Sequence, residues 1–433
     1  MPNPDHNLES FFARANYGYK NRYLLSASMR ADGDSRFGTN NRWGYFPAIS
    51  AGWLLSDEGF MGNFKNKLGA LKLRGSFGET GNNNIPSFQY LSTYNSAPYG
   101  TLPGIAPLAI GNPNFKWEDT KEWDGGLDWS PFNGRISVIA DYYHKKTSDL
   151  IVDRPILGVS GYTDFFDNIG EAVNRGFEFG LNTQNFKPAN ARGFSWNTDF
   201  NISFNHNEVT KLYNNQPVPG NNFREITRVS VGQPLGEFYV LHFKGVDPET
   251  GDAMYSDSLQ NAGSPQPKFW GGLGNTFSYR GFELRGFLEF SHGAKVFNLI
   301  RIFADDGGYH YDNKFTYALN RWQQPGDITN EPRASFDGTS DANEISDRYI
   351  EDGSYLRIQE ITLSWKLPRG LLTGRGFDDA KIYISGHNLH NFTKYTGYDP
   401  DVNSNGTANI ELGTDYYAYP RARTFTLGVS GSW

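Results

Sequence analysis

Three carboxylates fall within one eight-residue run, Gly245-Val-Asp-Pro-Glu-Thr-Gly-Asp, and oxygen donors this close raise the question of calcium. The run lacks the twelve-residue loop closed by a glutamate, and its Asp-Pro and Thr-Gly steps are turn signals. A turn is therefore the favoured reading of Asp247, Glu249 and Asp252. His387 and His390 are the close pair among the 8 histidines. Three residues apart on a strand or loop end, they point to opposite faces, so no metal site is assigned. No Gly-x-Ser-x-Gly elbow, phosphate loop or dinucleotide fingerprint occurs. Glu283 and Glu289 lie opposite an apolar strand face, where a solvated wall is the default. A glycosidase needs two carboxylates at a defined separation, which the sequence does not set. No catalytic residue and no cofactor is assigned. The chemistry left is aromatic. Tyr309, Tyr311 and Trp322 crowd one connector, and Tyr395 and Tyr398, with Tyr416, Tyr417 and Tyr419, crowd another. Such rings stack on the apolar faces of sugars at low entropic cost, or else pack connector against connector. The five residues Tyr309, Tyr311, Trp322, Tyr395 and Tyr398 are the candidate substrate contacts.

The elements that must position them are strands. In Phe282 to Phe290 the even positions Phe282, Leu284, Gly286, Leu288 and Phe290 are apolar or small, against Glu283, Arg285 and Glu289, with Phe287 the exception. The last residues do the same: Phe425, Leu427, Val429 and Trp433 share one parity, and Thr424, Thr426, Gly428, Ser430 and Ser432 the other. Period two with one apolar face means a strand half in contact with something apolar. In Tyr355 to Trp365 the parity slips, because Leu356 and Ile358 are even while Ile361, Leu363 and Trp365 are odd. A β-bulge near Gln359 and Glu360 explains the slip. About 13 such segments are read, near 8–20, 22–33, 43–54, 70–79, 117–130, 134–149, 173–184, 194–206, 269–280, 282–292, 353–366, 379–387 and 421–433. Helical periodicity is nowhere sustained, so the chain is all-β.

Between the strands, long connectors (34–42, 80–116, 150–172, 207–268, 293–352 and 388–420) alternate with short ones (20–21, 55–69, 130–134, 185–193, 281 and 367–378). A meander with tight turns at one end and long loops at the other is the anatomy of an outer-membrane barrel, with short periplasmic turns and long extracellular loops. A soluble sandwich with Greek-key connections does not segregate loop length in this way.

Composition sets the remaining bounds. The chain has 433 residues, 16% aromatics, 49 Gly and no Cys, so it carries no disulfide framework or thiolate site. A mean hydropathy of -0.59, without an apolar run near 18 residues, excludes transmembrane helices but not a membrane barrel. The net charge of -7, with no Lys/Arg run, argues against a nucleic-acid partner. The N-terminal Met-Pro-Asn-Pro-Asp-His has neither the basic nor the apolar region of a signal peptide. An odd strand count with a periplasmic C-terminus would place Met1 outside, which suggests the later part of a longer protein.

Several segments resemble the SusC/RagA family of TonB-dependent outer-membrane transporters. They include Asn21-Arg-Tyr-Leu-Leu-Ser-Ala-Ser-Met-Arg-Ala-Asp-Gly-Asp-Ser-Arg-Phe-Gly, Trp43-Gly-Tyr-Phe-Pro-Ala-Ile-Ser-Ala-Gly-Trp and Leu71-Lys-Leu-Arg-Gly-Ser-Phe-Gly-Glu-Thr-Gly-Asn. Asn174-Arg-Gly-Phe-Glu-Phe-Gly, Tyr355-Leu-Arg-Ile-Gln-Glu-Ile-Thr-Leu-Ser-Trp and Gly386-His-Asn-Leu follow in the family's order. The resemblance implies that residues 1–433 are the C-terminal part of a receptor β-barrel, about 13 strands of a 22-stranded one. Signal peptide, TonB box, plug domain and earlier strands would lie before it. It further implies an integral protein of the Gram-negative outer membrane, embedded in lipid, that imports oligosaccharides or peptides. A SusD-like surface lipoprotein would cover it, and TonB-ExbB-ExbD would power it through the absent N-terminal region. Phe425, Leu427, Val429 and Trp433 would be the signal read by the barrel-assembly machinery. A passive porin-like channel and a soluble carbohydrate-binding β-protein are the alternatives.

Overall fold

Side-chain alternation resolves into thirteen antiparallel strands. They are β1 (Leu8–Tyr19), β2 (Tyr23–Asp34), β3 (Trp43–Leu54), β4 (Ala70–Asn82), β5 (Glu118–Ser130), β6 (Ile136–Ser148) and β7 (Glu171–Phe186), then β8 (Ser195–Lys211), β9 (Phe269–Tyr279), β10 (Phe282–His292), β11 (Tyr355–Lys366), β12 (Asp379–Thr393) and β13 (Thr424–Ser432). Each hydrogen-bonds to the next in chain order, and the two edges are β1 and β13. The computed structural model describes residues 6–62, 65, 68–85, 87, 89–162, 164–188, 190, 193–220, 225–372, 376–406 and 410–433; Met1 lies outside them. No helix among the described residues is long and apolar enough to cross a membrane, which leaves strands untouched by that test.

Every strand expected from periodicity is present. Several run further than the pattern showed, β8 to Lys211 and β12 to Thr393, where His390 to Thr393 still pair with Ile358 to Tyr355 of β11. Connector order also holds, with one deviation: 55–69 is longer than 35–42 and contains two 3-10 turns, Leu55–Asp57 and Gly59–Met61. The tightest turn joins β9 to β10 through Arg280 and Gly281 alone, with φ of 53° and 90°. Positive φ at both residues gives the twist a two-residue hairpin needs, and glycine takes it without Cβ strain.

The chain divides into two compact units. In the first (Met1–Gly180, Asn205–Val218 and Ser230–Gln233), register puts Leu25, Ile49, Phe77 and Trp123 on one sheet face. On the opposite face Arg74 donates from Nε to Asp128 Oδ1 at 2.9 Å and from Nη2 to Asp141 Oδ2 at 2.9 Å. Gly126 leaves the room for that pair, since a Cβ there would lie 1.9 Å from Asp141 Oδ1. The buried core of this unit is not under the sheet. Phe37, Ile85, Phe115 and Trp117 form it, with Phe37 stacked on Trp117 at 5.1 Å.

In the second unit (Leu181–Phe204, Pro219–Val229 and Pro234–Trp433) the pairing Phe200–Leu273–Leu288–Ile358 puts those four residues on one face. Ile384 and Leu427 continue the row that begins at Leu284 and Leu363. The slip in β11 is a bulge: Ile358 pairs with Leu288 and Glu360 with Phe287, so Gln359 is the extra residue. Without it, one half of the strand would turn its apolar set to the wrong face. Phe287, the apolar residue on the polar side, lies over Gly272, where an added Cβ would meet its ring at 2.6 Å. Here too the core sits in the long connectors, formed by Ile226, Phe238, Val240, Phe297, Leu299, Ile302 and Tyr349.

The sheet therefore leaves its apolar side chains open while the connectors bury theirs. Near the short turns the open face carries rings: Tyr19, Tyr23 and Trp53 in the first unit, and Phe282 stacked on Trp365 at 5.5 Å in the second. Aromatic girdles at the ends of an apolar band suit a membrane interface. Leu288→Arg, in the full-length protein, should disfavour insertion by about 2–4 kcal/mol near the midplane, read from folding titrations into liposomes. Arg285→Gln on the other face should change nothing, and equal effects at the two positions would refute the facing.

Candidate functional site

The long connectors of the second unit build a surface from local turns upward. Gly245 and Val246 end a short strand and Asp247 to Asp252 form the turn that their residue types indicate: Asp247 Oδ1 accepts from the backbone N–H of Glu249 at 2.8 Å, and Asp252 pairs with Arg333 at 2.7 Å. No cluster of metal-binding side chains occurs among the described residues. Register places His387 beside Glu360 and His390 beside Ile358, on opposite faces of β12.

Connector 394–423 is tied to the wall by one residue that periodicity alone does not mark. Arg357 on β11 is 1% exposed. Its Nε donates to Asn391 at 2.7 Å and its Nη2 to Asp399 at 2.7 Å. Nη1 lies 3.6 Å from Glu289 and 3.5 Å from Asp401, and Asp401 also pairs with Arg421. Glu289 further accepts from the Tyr355 hydroxyl at 3.1 Å. Glu289, with 30% of its side chain exposed, remains a partly solvated wall residue and also flanks the buried Arg357–Asp399 pair across β10, β11 and the connector. The pair's only signal in sequence was a lone arginine on the polar parity of an otherwise bulky strand.

The candidate aromatics divide. Tyr311 is 92% exposed and meets Phe336 edge-on at 6.0 Å. Tyr398 is exposed. Tyr309 is half-exposed and begins a run of rings that crosses connectors. It meets His310 at 4.8 Å, His310 meets Phe303 at 5.1 Å, Phe303 meets Tyr416 at 6.0 Å and Tyr416 meets Tyr417 at 5.1 Å. Tyr395 differs from expectation, and Trp322 is half-buried. Tyr395 is 5% exposed and donates its hydroxyl to Asp415 at 2.6 Å; burial and that carboxylate push its phenol well above the ordinary value. Its ring offers no free face for a sugar. Trp322 donates Nε1 to the Pro248 carbonyl at 2.9 Å and lies against Gly251, bracing the turn. Sequence could not separate the braces from the exposed rings, because both are tyrosines and tryptophans in polar connectors.

Asp306 holds the Tyr309 segment. Its Oδ2 accepts from the backbone N–H of His310 at 2.7 Å and faces His310 Nδ1 at 2.6 Å, while Oδ1 accepts from Lys314 at 2.5 Å. Burial works to raise its pKa, but the bonds from Lys314, His310 and Gly308 outweigh burial and leave it below 3.8. A depressed carboxylate stabilises above its unfolded pKa and loses that contribution as pH falls through the folded value. The protection factors of residues 306–314, exchange rates corrected for the intrinsic pH dependence, should thus drop as pH falls through the folded pKa of Asp306. Asp306→Asn should already exchange fast at neutral pH and lose the pH step.

Comparison with known proteins now decides the family. Residues 1–284 match the family model described as TonB dependent receptor-like, beta-barrel. The chain belongs to the TonB-dependent receptor β-barrel family. Among curated relatives, TonB-dependent receptor P3 of Formosa agariphila is 32% identical over 462 residues, covering 98% of this chain and 45% of that protein. TonB-dependent receptor SusC of Bacteroides thetaiotaomicron is 31% identical, with 98% and 43% covered. Among solved structures, the RagAB peptide importer in its closed-closed state superposes with a TM-score of 0.86 at 25% identity, covering 98% of this chain and 48% of that one. The chain spans about half the length of the relatives it matches. As a TonB-dependent receptor barrel it is an integral outer-membrane protein, from a family of receptors and transporters. The open apolar face with its aromatic girdles is the lipid-facing side, and the resemblance read from the motifs stands.

Proposed function

We propose that this chain is the C-terminal barrel part of an importer that takes up oligosaccharides or peptides across the outer membrane. In the full protein a plug, a TonB box and the earlier strands precede it. One observation carries the reading: the long connectors bury a hydrophobic core of their own and hold exposed rings over it. Loops that merely link strands have no need of a core; loops that present a rigid recognition surface do. Similarity to SusC and to the RagAB peptide importer supports import, and supports a SusD-like surface lipoprotein as the partner over the connectors. TonB-ExbB-ExbD would supply the energy from the periplasm, and the barrel-assembly machinery would insert the protein. The test is uptake of fluorescent glycans and peptides by cells with and without the full-length protein. Import should stop when the inner membrane is de-energised. Import that survives de-energisation would instead establish a passive channel.

A further inference from the structure

Charge interrupts the lipid-facing side of the first unit at one level. On four neighbouring strands a ring is followed, two residues further from the short turns and on the same parity, by an ionisable side chain: Phe77 by Glu79, Trp123 by Lys121, Tyr142 by His144 and Phe177 by Arg175. Register joins them, since Phe77 pairs with Trp123, Trp123 with His144, and Lys121 with Lys146. Contacts carry the same face on: Lys146 reaches Glu171 at 2.7 Å, and Arg175 lies 3.9 Å from Glu208, which His206 approaches at 3.5 Å. Lys121, Lys146, Arg175 and His206 keep 48%, 46%, 53% and 60% of their side chains exposed. Asp119, Glu171 and Glu208 stand farther out along their strands than Lys121, Arg175 and His206, so the edge turned to the membrane is basic. In the second unit the lipid-facing side of β9 to β12 ends on Phe269, Phe290, Leu356 and Phe392, without Lys or Arg.

A basic side chain facing lipid is costly at the midplane and nearly free at the interface. Just outside a row of rings, these groups stand at headgroup level. The pairs made by Lys121 with Glu79, at 3.3 Å, and by Arg175 with Glu208, at 3.9 Å, are loose and leave further N–H donors on each cation. Clustered donors of this kind suit a phosphate, and basic residues at a membrane surface attract anionic headgroups. A soluble anion would leave the exposed rings of Trp123, Tyr142 and Phe177 bare, whereas a lipid lays its chains on them. We propose that Lys121, Lys146 and Arg175, flanked by His144 and His206, bind the phosphate of an outer-leaflet lipid headgroup and hold one lipid against β5 to β7. The site depends on which face meets lipid, not on what the barrel imports.

Native mass spectrometry of the full-length protein, delipidated in detergent and titrated with lipid A, tests it beside dephosphorylated lipid A and inorganic phosphate. One lipid A should stay bound, about tenfold or more tightly than its dephosphorylated form, the loss of a charge-assisted contact. Combining Lys121→Gln, Lys146→Gln and Arg175→Gln should erase that preference. Lys146→Arg keeps the charge and should keep the preference, as should Lys20→Gln at a short turn. Circular dichroism and heat-shifted gel migration report folding; should the triple variant not fold, Arg175→Gln alone carries the test and should weaken lipid A by about threefold or more. Equal retention of the two lipid forms, or an unchanged preference in the folded variant, would overturn the site. Displacement of lipid A by millimolar inorganic phosphate would mark a site for a soluble anion and overturn the lipid assignment.

Discussion

Replacing Arg357 by methionine should release connector 394–423 from the barrel wall and cost about 3–5 kcal/mol, the usual price of breaking a buried ion pair. The substitution keeps most of the side chain's length and removes the charge. Asp399, itself 3% exposed, would lose its 2.7 Å donor, and Glu289 and Asp401 would lose the cation near them. Three carboxylates would then face one another with only Arg421 still paired to Asp401. Lysine should recover little, because it cannot direct one nitrogen to Asn391 and another to Asp399 as the guanidinium does. In the full-length protein, hydrogen exchange should rise across 394–423 while strands β1 to β6 keep their protection. A second substitution, Asp399→Asn, should recover part of the loss by removing one of the stranded charges. Unchanged exchange in that connector would show that the cluster does not hold it. Glu289→Gln belongs to the same experiment: with the Arg357 and Tyr355 contacts in view, it should loosen the connector measurably rather than pass unnoticed.

Deleting Trp433 should collapse outer-membrane levels of the full-length protein. The residue is 88% exposed and lies just past the end of β13, so little packing is lost with it. Twelve other strands and all connectors remain, and loss of contacts alone would leave abundance near normal. Phe425, Leu427 and Val429 are also exposed and share their sheet face with Gly386, Ile384 and Ile382. An aromatic at Trp433 in line with that apolar row suits recognition of β13 by the assembly machinery, a role we propose. Surface labelling and fractionation would then find the deleted chain degraded in the periplasm, and Trp433→Phe should restore most of the surface signal. Full surface levels in the deletion would make the residue a structural ornament.

What sequence alone determined was everything that repeats every two residues. Strand number, the apolar face of each strand, the bulge at Gln359, the opposed His387 and His390, and the long–short order of connectors all follow from local alternation. Period two survives in sequence because each strand meets an apolar medium on one side, whatever its neighbours are. What only the tertiary structure decided lies in the connectors, where no period exists. Arg357 and Asp399 are 42 residues apart, and Trp322 and Pro248 are 74 apart. Whether a tyrosine there is a brace like Tyr395 or an open ring like Tyr311 depends on which distant segment closes over it. Burial in an irregular connector comes from long-range closure, to which adjacent residues carry no clue.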